Sequence, residues 1–130
     1  MKVSLLLMLA AIYGIVFGLL LLVVPDVILA GVFGAAAPPA ALVGNIRGYG
    51  GVLIGVAVIN WFARNSEPSQ ARDAIMLGMF VGFLALTLTG ILRVLGGAPT
   101  LGGIVTFVIN ALLAIAFGIV GKANMSTQKS

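Results

Sequence analysis

Residues Val3 to Val24 form an unbroken run of 22 residues without a single charge. As a helix rising about 1.5 Å per residue, such a run reaches roughly 33 Å and crosses a hydrocarbon core of about 30 Å. A secretory signal has an apolar stretch of only about 7–15 residues, so this run is expected to remain as an anchor helix. Comparable runs follow, and spans are predicted at about 3–24, 41–63, 74–95 and 101–121. Only 8% of the 130 residues are charged, against about a quarter in a soluble domain. A water-soluble fold would therefore expose large apolar patches. In lipid, only helices and closed barrels satisfy their backbone polar groups, and runs that do not alternate select helices. The predicted fold is all-α: a single membrane domain, built as an up-down-up-down four-helix bundle.

The connections carry the remaining signals. Pro25-Asp26 ends the first run, and Val27–Phe33 is too short to span. It is predicted as a short interfacial or re-entrant helix with Asp26 near its N-terminus, where a carboxylate complements free N–H groups; a plain loop is the alternative. Ala35-Ala36-Ala37-Pro38-Pro39 breaks the chain before the second span, which closes on Trp61-Phe62, as interfacial aromatics do. The polar connection 64–73 contains Ser66-Glu67-Pro68, a plausible helix start. Gly96-Gly97-Ala98-Pro99 makes a turn, and 122–130 reads as a disordered tail. One side of the membrane receives Lys2, Arg64, Arg72, Lys122 and Lys129; Arg47 and Arg93 lie inside spans near the other side. This five-to-two bias predicts cytoplasmic N- and C-termini in a multi-pass cell-membrane protein of the bacterial inner-membrane type.

The chain has no cysteine and no histidine, which removes thiolate chemistry, disulfides and imidazole ligation. Its acids, Asp26, Glu67 and Asp73, fall at or beyond span ends, and no paired carboxylates or phosphate loop occur. The expectation is a non-enzymatic accessory or assembly subunit with no cofactor or metal; the alternative is a small carrier for an anionic lipid or small molecule, with its site at Arg47, Arg93 and Asp26. The net charge of +4 comes from scattered basic residues, so nucleic acid is not an expected partner. The expected partners are the bilayer and either copies of the chain or a larger membrane complex.

Small residues recur at four-residue spacing: Gly14 and Gly18; Gly44 and Gly48; Gly51 and Gly55; Gly78 and Gly82. The last span carries Gly102, Thr106, Asn110, Ala114 and Gly118. Such faces allow close backbone approach, within the bundle or between copies. Val58-Ile59-Asn60 and Val108-Ile109-Asn110 each follow a Gly-Gly pair, a faint echo of duplication.

Arg47, Arg93 and Asp26 should fall at one level, in the outer leaflet. Three readings stand for them. The arginines can snorkel to lipid phosphates. Asp26 can pair with Arg47 or Arg93 and pin the first loop. The surplus positive charge can bind an anionic headgroup or carboxylate, with Tyr49 and Asn45 flanking Arg47. Asn110, at about the depth of Tyr13, is expected to hydrogen-bond it across helices. Thr87 and Thr89 can satisfy themselves on their own helix backbone.

The stretch Arg47-Gly48-Tyr49-Gly50-Gly51 through Asn60-Trp61-Phe62-Ala63-Arg64 resembles small bacterial four-span proteins of the DoxX-like kind, as do the length and four-span plan. That resemblance implies an accessory or assembly role, some such proteins being linked with membrane redox or quinone-related complexes. No residue of this chain independently supports a redox centre.

Overall fold

The computed structural model describes residues 2–35, 37–97 and 99–124. Five helices follow in order: α1 (Val3–Val23), α2 (Pro25–Phe33), α3 (Ala40–Ala63), α4 (Gln70–Leu95) and α5 (Leu101–Asn124). All but α2 are long and apolar enough to cross a membrane. The chain is a multi-pass membrane protein. Helices α3, α4 and α5 run beyond the predicted spans, α4 the furthest, since it starts at Gln70 and not near 74. Helix α5 includes Lys122 to Asn124, so the tail begins later than expected; its remainder, 125–130, lies outside the described residues. Ala98, in the expected Gly-Gly-Ala-Pro turn, also lies outside them.

Local chemistry sets the ends. Helix α4 starts at Gln70, not near Ser66, because Ser69 is extended and its hydroxyl accepts the Arg72 N–H at 3.3 Å. That bond satisfies one of the free donors of the first turn. Pro25 opens α2, where a missing N–H costs nothing, and Asp26 sits in its first turn. The segment is thus a helix and not a plain loop. Gly34 closes it with φ 73°, and the N–H groups of Gly34 and Ala35 return to the carbonyls of Ala30 and Leu29. This left-handed position suits glycine.

The bundle consists of two antiparallel pairs, α1 with α3 and α4 with α5. Consecutive helices α3 and α4 barely touch, in contrast to the ordinary expectation for spans joined by a short loop. Glycine decides the first pairing. A Cβ added at Gly18 would sit 2.8 Å from the Gly50 carbonyl oxygen, and one at Gly50 would sit 2.6 Å from that of Gly18. Only bare backbones fit there. In the second pair, Gly90 faces Phe107 and Gly118 lies under Phe80. Outward faces of all four spans remain leucine-, isoleucine- and valine-rich, as helices bordered by hydrocarbon should be.

The two pairs close on each other at one end. Leu6, Leu7 and Ala10 of α1, Ala63 of α3, Met76 and Phe83 of α4 and Phe117 of α5 form one buried cluster there. Phe83 stacks on Phe117 with ring centroids 5.7 Å apart. Ser4 donates to Asn65 at 3.3 Å, tying the start of α1 to the α3–α4 loop. At the opposite end the pairs diverge, and α2 lies across the gap against α5.

A candidate ligand pocket beneath helix α2

The divergence leaves a cavity of about 410 Å³ between the pairs, within the ordinary range of about 300–1,000 Å³ for small-molecule sites. Val32 and Phe33 of α2 form its roof, Leu21 and Phe17 of α1 one wall, and Gly90 and Phe107 another. Polar atoms are few, and their placement is specific.

Among the described residues, Arg93 is the only charged one that lines the cavity. Its guanidinium donates from Nη1 to the Val32 carbonyl at 3.1 Å and lies 4.6 Å from the centre of the Phe33 ring. The Val32 carbonyl also accepts the Thr100 hydroxyl at 2.9 Å, and that hydroxyl accepts the Gly103 N–H at 3.0 Å. The carbonyls at a helix C-terminus lack partners within the helix and carry partial negative charge, so a cation there is favourable. Arg93 therefore holds α2 down by its C-terminal end. A guanidinium has five N–H donors, and this contact occupies one of them.

Further into the membrane, Tyr13 donates to Asn110 Oδ1 at 3.1 Å, with Asn110 buried. Both residues line the cavity. Tyr13 also stacks on Phe17 and tilts against Phe83, which fixes its ring. Tyr13→Phe should cost about 1 kcal/mol, the usual worth of an interhelical hydrogen bond in a membrane. Reversible unfolding in mixed detergent micelles would measure it; an unchanged stability would mean the bond contributes nothing. Thr87 and Thr89 return their hydroxyls to the carbonyls of Phe83 and Ala85 at 2.8 and 2.9 Å.

The predicted charge cluster does not assemble. Arg47 and Asn45 are exposed and lie outside the cavity, whereas their neighbours Ile46 and Tyr49 line it. Each helical residue turns the side chain by about 100°, so Arg47 is rotated away from the face that Ile46 presents. Asp26 is likewise exposed, and among the described residues no ion pair joins it to Arg47 or Arg93. Arg93 finds a helix end instead of a carboxylate.

The sequence pattern did not single out Thr100, Gly103 or the Val32 carbonyl. The available signal was Gly102-Gly103 at the start of a span following a basic residue. A Cβ at Gly103 would come within 2.9 Å of the Val32 oxygen and 3.1 Å of Arg93 Nη1. Another polar residue without an assigned role, Asn60, is fully buried; its Nδ2 lies 3.2 Å from the Met79 sulfur and its Oδ1 has no partner among the described residues.

No protein-family model, curated protein or solved structure matches the chain. The pocket's own chemistry therefore carries the functional argument.

Proposed function

We propose that this membrane protein is a non-enzymatic binding protein or small carrier for an anionic lipid or small molecule, with Arg93 as its anchor. The observation that supports this reading is a mostly apolar cavity whose lining, among the described residues, holds one arginine and no carboxylate. Such a site favours a molecule that brings its own oxyanion. Arg47, first among the sequence candidates, becomes a snorkelling residue.

The test is binding to the purified protein in neutral detergent. Arg93→Ala should weaken an anionic amphiphile at least tenfold, or about 1.4 kcal/mol, because charged hydrogen bonds contribute about 1.5–3 kcal/mol. Arg47→Ala should leave binding unchanged. Arg93→Gln, which can still donate to the Val32 carbonyl, separates lost charge from a loosened α2. Equal binding by all three variants and the parent would sink the proposal.

A second reading, an accessory subunit or homo-oligomer as the DoxX-like resemblance implies, draws on the outward face of α3. Gly44, Gly48, Gly51 and Gly55 would each meet nothing within 4 Å of an added Cβ. They recur on one side of the helix, available for another membrane helix. Gly48→Leu with Gly55→Leu should then reduce cross-linked oligomer while leaving the monomer folded. An unchanged oligomer population, or none in the parent, removes this reading.

The basic residues at the closed end (Lys2, Arg64, Arg72 and Lys122) favour a cytoplasmic location for both termini. A reporter fused at the C-terminus that proves active only outside the cytoplasm would reverse this orientation.

A further inference from the structure

The cavity's mouth is located by the exposure of its lining. Leu21, Val32, Gly90, Gly103 and Asn110 are buried, whereas Tyr49 is 65% exposed and Leu86 45%. Thr89 is exposed as well. Tyr49 belongs to α3, and Leu86 and Thr89 to α4, the consecutive helices that barely touch. The opening is therefore the α3–α4 seam. Tyr49 lies nine residues into α3, roughly 14 Å along it, and Thr89 lies six residues before the end of α4, roughly 9 Å from it. In a hydrocarbon core about 30 Å thick, both depths lie below the interface. Above them, buried Val32 of α2 covers the cavity, and Phe33, 39% exposed, stands partly open at its edge.

On the reading that this pocket binds an anionic molecule, we infer that its occupant is a long-chain carboxylate, a single-chain amphiphile that slides in sideways from the bilayer through the α3–α4 seam. Three observations argue for this chemistry. The mouth faces lipid, so the ligand must already be dissolved there. Arg93 is flanked by the Phe33 ring, the Val32 carbonyl and Gly103, which leaves its remaining N–H groups for a small planar acceptor; a carboxylate matches the guanidinium fork. The volume of about 410 Å³ lies near the low end for ligand sites, which suits one alkyl chain and not the bulk of a glycerophospholipid head with its two chains.

The experiment compares palmitate, hexadecanol and dipalmitoyl phosphatidate on the full chain in neutral detergent, with Arg93→Gln alongside. Palmitate should bind at least tenfold tighter than either of the others, and Arg93→Gln should remove that preference. Tight, Arg93-dependent binding of phosphatidate overturns the single-chain inference and leaves the anion-binding reading intact. Absence of Arg93-dependent binding by any of them overturns both. For the route, Trp61→Phe with Leu86→Trp places a sole indole at the seam, read in vesicles containing brominated acyl chains. Quenching by the bromolipid that palmitate relieves at least twofold supports sideways access. Quenching by aqueous iodide alone would show that the mouth meets water and overturn it. Unchanged circular dichroism and melting establish that each variant folds.

Discussion

Gly50→Val should destabilise the protein by about 3 kcal/mol or more, the upper range for overpacking a closed core. Its Cβ would lie 2.6 Å from the Gly18 oxygen and 3.0 Å from the Leu22 nitrogen. Those atoms are backbone in a neighbouring helix, so no rotamer change relieves the clash. The α1–α3 pair must separate, and separation also withdraws the dispersion contacts that hold membrane helices together. Gly18→Val should behave alike, because its Cβ meets the Gly50 oxygen at 2.8 Å and Ile54 at 2.9 Å. Gly55→Ala is the control: an added methyl meets nothing, and alanine is favoured over glycine inside a helix by about 1 kcal/mol. Unfolding in mixed micelles should rank the variants in that order. Equal stability of Gly50→Val and Gly55→Ala would refute the close packing.

Gly102→Val should detach α2 while leaving the four spans assembled. A Cβ at Gly102 would lie 2.5 Å from the Gly31 carbonyl oxygen. Lifting α2 also breaks the bonds from Arg93 and Thr100 to Val32. Several contacts are lost together, because they all converge on the last turn of one short helix. Helix α2 has nine residues, too few to persist alone in water. Amide exchange over 25–35 should accelerate by roughly a hundredfold, equivalent to about 2.7 kcal/mol of local stability. The buried cluster around Phe83 and Phe117 should keep its protection. Acceleration throughout the chain would instead make α2 part of a single cooperative unit.

The spans were legible because hydrophobic length is a property of the sequence alone, and each began within a few residues of its predicted start. Polar Tyr13 and Asn110 could be matched across helices because depth in the membrane follows from counting residues. Rotation about the helix axis was not legible in the same way. Arg47 and Ile46 differ by one step, yet only Ile46 reaches the cavity. The stripe Gly102, Thr106, Asn110, Ala114, Gly118 shows the same difficulty. Four residues overshoot a full turn by about 40°, so the stripe winds around α5. Gly102 meets α2, Asn110 meets α1, and Gly118 meets α4. A single stripe in the sequence served three different neighbours. Arg93 was a candidate from the sequence, but the partner that holds it was hidden for another reason. Its acceptor is a main-chain carbonyl, and any residue at position 32 supplies one.

The weak junction between α3 and α4 has a consequence for biosynthesis. Chains leave the ribosome N-terminal end first, so α3 can meet its partner, α1, before α4 has fully emerged. The α1–α3 unit can finish pairing while the remainder is still being translated. Helices α4 and α5 then arrive as a ready hairpin that needs no earlier helix to begin pairing. On that order, the last step is the docking of two paired units through Leu6, Leu7, Met76 and Phe117, which share one buried cluster. The loop between Ala63 and Gln70 marks the natural cut. A gene split there should still yield an intact protein from two separately translated halves.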